Sequence, residues 1–277
     1  MRSQKIFFIL FGIFYVLSSC TTDSQERPNI LFIMSDDHTS QAWGIYGGIL
    51  EPYVKNTGIK RLASEGVTLE NMFCTNSICV PSRAALLTGV MSHKNGVYTL
   101  GDALAPDSLN IAKVLSSSGY ATAIIGKWHL KAEPTGFDYY KVLPGQGRYF
   151  DPVFKTAENW EYGWEGGKEQ KGFSSDIIGT ESLDWIDAQD PEAPFFLMTH
   201  FKATHEPFHY PERHAELLEE VVLPEPESLL EPYPTPDGRT FKGQLLDNLT
   251  KRWLRYQADP EKFWTDYPGM PFDVTGL

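Results

Sequence analysis

Four apolar runs, each released into a cluster of chemistry-bearing side chains, constrain this chain more than any other feature. Ile30 to Met34 is continuously apolar and ends in Ser35-Asp36-Asp37-His38. Val67 to Phe73 leads into the loop that carries Cys79, Tyr120 to Ile125 ends in Gly126-Lys127-Trp128-His129, and Pro194 to Phe201 ends in Lys202-Ala203-Thr204-His205. All four read as strands, and the unbroken Ile30 to Met34 run is the pattern of one buried on both faces. Between them lie helical stretches at Gly58 to Glu65, at Leu109 to Leu115 behind an Asp107 or Ser108 cap, and at Ser175 to Ala188. Strand alternating with helix at these spacings predicts a mostly parallel α/β sheet flanked by helices on both faces. In open sheets of this kind ligands bind at the carboxyl ends of the strands, so four separate segments converge on one crevice.

The segment Thr75 to Gly89 places a cysteine just before a helix start, with Pro81 suited to the first turn and Gly89 to the C-terminal cap. Cys79 then lies at the positive end of a short helix, and Arg83 adds a fork of donors suited to a tetrahedral oxyanion. Asp36 and Asp37 offer paired hard oxygens for Ca²⁺ or Mg²⁺. Lys127 beside His129 depresses the imidazole pKa and keeps that ring available as a base. His200, His205 and His209 raise a zinc alternative, but their spacing matches no standard zinc pattern and no cysteine pair accompanies them.

The run Cys79-Val80-Pro81-Ser82-Arg83, followed by Leu86-Leu87-Thr88-Gly89, resembles the signature of the type I, formylglycine-dependent sulfatases. Gly126-Lys127-Trp128-His129-Leu130 is similar to that family's second signature, and the resemblance runs from about Pro28 to His205. It implies an alkaline-phosphatase-like fold and hydrolysis of a sulfate ester of a carbohydrate. It implies conversion of Cys79 to Cα-formylglycine by a maturation enzyme, the hydrated aldehyde then attacking sulfur. Asp36 and Asp37, with position 79, would bind one Ca²⁺. Arg83 and Lys127 would hold the formylglycine and the sulfate, His129 would act as base on the formylglycine hydroxyl, and His205 would protonate the leaving alcohol. Lys202 is a further candidate for substrate contact. Thr204 stands where relatives often have proline. The flanks Thr75-Asn76-Ser77-Ile78 and Ser92-His93-Lys94-Asn95-Gly96-Val97 look most like enzymes acting on glucosamine 6-sulfate in glycosaminoglycans. Two other readings stay open, a phosphate or phosphonate monoester hydrolase of the same superfamily and a truncated, non-catalytic lipoprotein that binds sulfated glycan.

The family completes its calcium site with an Asp followed by Asn, Gln or His on a later strand, and adds a lysine beyond it. After His205 the sequence turns acidic and Pro-interrupted, then polar and aromatic, and Asp247-Asn248 follows no apolar strand. The expected organisation is a signal peptide at 1–19, a lipidated tether at 20–27 and the N-terminal catalytic portion of a longer sulfatase at 28–277, with 206–277 resembling an insertion. As such, the isolated chain is expected to bind Ca²⁺ weakly and to turn over little substrate. Gly136 to Lys171 reads as a long surface excursion facing the substrate.

The N-terminus reads as an export signal, Arg2 and Lys5 preceding an apolar run from Ile6 to Leu17 that is too short to span a bilayer. Leu17-Ser18-Ser19-Cys20 resembles a bacterial lipobox, which implies a cell-envelope lipoprotein anchored to the membrane through Cys20; a plain secretory signal is the alternative. Loss of Arg2 and Lys5 leaves 22 basic against 36 acidic residues, a net charge of −14. With no basic stripe, nucleic acid is excluded as a partner, and attraction for a sulfated ligand must be local. If Cys20 is lipidated, only Cys74 and Cys79 remain, and they either form a disulfide or leave Cys79 free for conversion.

Overall fold

The computed structural model describes residues 27–226 of the 277. Six strands occur among these residues: β1 (Ile30–Met34), β2 (Ala121–Lys127), β3 (Tyr139–Leu143), β4 (Val153–Phe154), β5 (Lys168–Glu169) and β6 (Phe195–His200). The main sheet has the order β1-β6-β2-β3 and all its pairs are parallel, while β4 and β5 form a small antiparallel pair. Five helices accompany them: α1 (Thr57–Glu65), α2 (Cys79–Thr88), α3 (Ser92–Asn95), α4 (Ile111–Ser117) and α5 (Ser174–Asp187).

The two inner strands carry the core, because their apolar runs have helices on both sides. On one face Ile124, Phe196 and Met198 pack with Val80, Ala84 and Leu87 of α2 and with Ala112 of α4. On the other, Ala123, Ile125 and Leu197 pack against Ile177 and Ile178 of α5. Ile124, Ile125 and Leu197 are wholly buried, as the expectation for a doubly covered parallel strand requires.

Three sequence expectations are corrected. Val67 to Phe73 forms no strand; Val67 is 85% and Phe73 87% exposed, and polar Glu70-Asn71 interrupts the run. β-propensity needs a pairing partner and a surface to cover, and the described residues give this segment neither. β1 is a strand but is not buried on both faces, since Leu31 and Ile33 stay about half exposed. In the third case, the excursion expected from Gly136 contains β3, which completes the sheet beside β2. The cap of α4 also moves: Asn110, rather than Asp107 or Ser108, accepts a hydrogen bond from the Lys113 amide at 3.0 Å.

Register brings the strand ends level. His200 pairs with Met34 on one side and with Gly126 on the other, so β1, β6 and β2 all end at one edge. The approach of β2 to β6 there is possible only for glycine. Gly126 has φ +106°, and a Cβ on it would lie 1.9 Å from the His200 carbonyl oxygen.

Candidate active site

Each chain segment leaving that edge delivers one part of a buried polar cluster. The turn after β1 is tied to the turn after β6: the Asp36 amide donates to Ala203 O at 2.9 Å, and the Thr204 amide donates to Asp36 O at 2.8 Å. Helix α2 begins at Cys79 with Ile78 as its N-cap and ends at Gly89 in the left-handed conformation, as Pro81 and Gly89 predicted. Its first turn faces the same edge, because Val80, Ala84 and Leu87 are drawn into the core beneath it.

Asp36, Arg83, Lys127, His129, Lys202 and His205 are all buried. The Asp36 carboxylate sits between two cations, accepting from Arg83 Nη2 at 3.2 Å and from Lys127 Nζ. Burial alone would raise its pKa, but Arg83 and then Lys127 outweigh it and hold the carboxyl below its ordinary value. Arg83 Nη1 also donates to the Lys127 carbonyl at 2.8 Å and lies 3.3 Å from His200 Nδ1. The guanidinium therefore fixes both Asp36 and the end of β2. Lys127 completes its shell with Gln146 Oε1 at 2.5 Å, and burial lowers its pKa against the attraction of Asp36.

Cys79 is partly buried and free, as is the exposed Cys74, so no disulfide joins them. Burial pushes the Cys79 thiol up despite Lys127 and Arg83, which keeps it protonated at neutral pH. Ligand atoms of Asp36, Cys79 and His205 lie within 4.8 Å of one another, a grouping that could hold a metal ion. Asp37 stands at the rim with its side chain 58% exposed and Oδ2 3.6 Å from His205 Nε2. Its backbone has φ +54°, a left-handed position that Asp tolerates better than most residues. The expected ligand set thus gains a histidine, and Asp37 lies outside the grouping. Among the described residues, His200 and His209 belong to no metal-ligand group.

The histidines divide by environment. Burial, then Lys127 and Arg83, push His129 down to about 3, leaving a neutral imidazole whose buried Nδ1 has no protein partner. His129 also has φ +61°, local strain of the kind held at functional turns. His205 lies with Nδ1 2.7 Å from Glu206 O, its pKa lowered by burial and by Lys127. Tyr149 braces it by donating to the His205 carbonyl at 2.6 Å. Lys202, wholly buried over the Tyr149 ring at 4.9 Å, is pushed down to about 7 by burial and by Lys127.

One member, Gln146, escaped sequence reading, and His200 entered it only through the discounted zinc alternative. Gln146 follows β3 in Pro144-Gly145-Gln146-Gly147, so the rule that strand ends carry chemistry would have found it had β3 been recognised. His200 is the last residue of β6, held neutral at about 3 by burial and Arg83 and packed edge-on against Phe32 at 5.8 Å. Its position inside an apolar run gave no signal beyond its being a histidine.

Among the described residues the arrangement gathers two buried cations, Arg83 and Lys127, with Lys202 beside them at a pKa of about 7, around one buried carboxylate. It can neutralise a tetrahedral oxyanion placed over Cys79, and it offers a neutral imidazole as proton acceptor. Asp36 brings a carboxylate oxygen and His205 an imidazole nitrogen beside position 79, a donor set that could hold a dication, with Asp37 at its rim.

A sequence model of the sulfatase family matches residues 28–233. The N-acetylglucosamine-6-O-sulfatase of Bacteroides thetaiotaomicron is 39% identical over 279 residues, covering 93% of this chain and 47% of the relative. The human N-acetylgalactosamine-6-sulfatase is 32% identical over 213 residues, covering 66% of this chain and 40% of that one. The solved structure of BT4656 in complex with its substrate D-glucosamine-2-N,6-O-disulfate superposes with a TM-score of 0.69 at 37% identity, over 75% of this chain and 40% of that one. The chain spans less than half the length of these relatives.

Proposed function

Since this chain belongs to the sulfatase family, we propose that it hydrolyses a sulfate ester of a carbohydrate, a 6-O-sulfated glucosamine of a glycosaminoglycan, with position 79 as the nucleophile. The observation that carries the reading is the convergence of Arg83, Lys127 and Lys202 on Cys79, with Asp36 as their one buried counter-charge. Arg83 and Lys127 give a local surplus of positive charge, which suits a sulfate group in a chain whose net charge is −12.

The raised thiol pKa supports Cys79 as the precursor of a formylglycine, not as a thiolate nucleophile. Installing the aldehyde requires a formylglycine-generating maturation enzyme as partner. Asp36 and Asp37, with position 79, would hold Ca²⁺, and the bound ion would withdraw charge from the sulfate oxygens. Lys127, aimed by Asp36 and Gln146, faces the developing oxyanion charge. Arg83 serves chiefly as the clamp that fixes Asp36 and β2. His129, neutral and unpartnered at Nδ1, is ready to take a proton from a hydroxyl at position 79. His205 is neutral in the resting site; an anion bound beside it raises its pKa and lets Nε2 carry the proton that the departing sugar oxygen needs. Lys202 would touch the substrate from below.

The signal peptide, the Cys20 anchor and the envelope location are part of the same proposal. They and Asp247-Asn248 lie outside the described residues. Cys20→Ala is expected to move the protein from the membrane fraction to the soluble one, and unchanged fractionation would reject the anchor.

The test of function is release of inorganic sulfate from D-glucosamine 6-O-sulfate by the chain co-expressed with a formylglycine-generating enzyme. It is run beside phosphate release from D-glucosamine 6-phosphate. Sulfate release, slow as the sequence leads one to expect, that disappears in Cys79→Ala supports the reading. Faster phosphate release would place the chain among phosphoesterases.

A further inference from the structure

We propose that Trp164 forms the wall of the sugar subsite, its indole stacking on the apolar C–H face of the hexose whose sulfate lies over Cys79. This rests on the sugar-sulfatase reading above and adds to it the residue that would recognise the sugar.

The placement comes from two directions. The Trp164 ring lies 5.3 Å from the His129 ring, tilted by 51°. It also packs on the backbone of Gly145, where a Cβ would come within 3.3 Å of the indole, and Gly145 has φ +55°. The next residue is Gln146, whose Oε1 accepts from Lys127. The indole thus borders the crevice beside the expected base and beside the partner of the sulfate-facing lysine. It is 41% exposed, which leaves part of the ring open to a ligand.

The loop presenting it is fastened on each side. Trp160 bridges Gly166, the Gly163 amide donates to Lys131 O at 3.2 Å, and the Gly167 amide donates to Asn159 O at 3.2 Å. From beneath, the buried Lys155 ammonium donates to Glu161 O and lies 4.1 Å over the Trp160 ring. Lys131 Nζ lies 5.6 Å from the Trp164 centroid, a cation–π contact that further fixes the ring. An aromatic held in place before the ligand arrives costs little entropy on binding. A pyranose offers just such a ring a flat patch of C–H bonds, while its sulfate reaches the cations.

Calorimetric titration of the full chain with D-glucosamine 6-O-sulfate and, separately, with inorganic sulfate tests the assignment. Trp164→Ala is expected to weaken the sugar sulfate about tenfold and to leave inorganic sulfate unchanged, and Trp164→Phe to recover most of the loss. Unchanged affinity for the sugar sulfate in Trp164→Ala would overturn the proposal. So would an equal loss for both ligands, which is the mark of a scaffold residue. Should Trp164→Ala fail to fold, indole emission decides: addition of the sugar sulfate must change it in the unsubstituted protein and not in Trp164→Phe. Binding of inorganic sulfate with no added affinity for the sugar sulfate would reject the subsite alone. Failure of the unsubstituted chain to bind either ligand would count against the sulfatase reading itself.

Discussion

The centre of the sheet and its β1 edge are built from similar-looking sequence and end up in opposite states. Phe196, Leu197 and Met198 of β6 are buried on both faces, while Leu31 and Ile33 of neighbouring β1 alternate outward into solvent. Beyond β1, helix α1 buries none of its residues, and the stretch from Val67 to Phe73 presents apolar side chains to water. Yet the charged cluster draws on both regions. Lys127, His129, Lys202 and His205 come from the packed centre, whereas Asp36 follows the exposed strand and Cys79 follows the exposed stretch. The lesson is that Asp36 is secured less by its own strand's packing than by bonds at the strand ends, from Arg83, Lys127, Ala203 and Thr204.

The contrast can be broken most forcefully at that join. Arg83→Ala strands Asp36 beside Lys127 with one cation missing and frees the end of β2. Chemical denaturation is expected to show a loss of about 3–5 kcal/mol. Arg61→Ala, which removes an exposed pair with Glu65, is expected to show no measurable change. Equal effects would mean that the buried pairing does not secure the edge.

Within the sheet, Leu197→Ala at a fully buried site is expected to cost about 2–5 kcal/mol in the same assay. Ile33→Thr, at a residue 55% exposed, is expected to stay within about 0.5 kcal/mol. A large cost at Ile33 would show that β1's outer face is covered in solution.

A pH profile sharpens the comparison further. His129 and His200 are both held neutral, with pKa values of about 3 in the folded chain against an ordinary 6.5. Between those values the unfolded chain binds protons that the folded one refuses, so stability rises with pH through that window and falls on acidification. Each histidine contributes a slope of about 1.4 kcal/mol per pH unit. His129→Gln and His200→Gln should each flatten the profile.

Much of this division was hidden in the sequence, for physical reasons. The strands β2 and β6 were legible because a run of apolar residues beside helical patterns has one good solution, burial in a parallel sheet. β3 was not legible, because Tyr139-Tyr140-Lys141 breaks the run with a charge that the structure pairs with Glu181 at 2.5 Å. Val67 to Phe73 carried good β-forming residues, but a strand needs a neighbour, and a neighbour is not written locally. At the site, Asp36, Cys79, Arg83, Lys127, His129, Lys202 and His205 were legible from motif and strand-end position. Gln146 depended on the missed strand. Trp164 sits among exposed aromatics such as Tyr162, and only the folded chain shows which ring touches His129.

The chemical fate of Cys79 decides the chemistry of the site, and it is measured most directly by mass spectrometry of its peptide after co-expression with a formylglycine-generating enzyme. An aldehyde at position 79 that reacts with a hydrazide probe and is lost in Cys79→Ala is the predicted result. Recovery of Cys79 as an unaltered thiol, or joined to Cys74, in protein that still releases sulfate would contradict it.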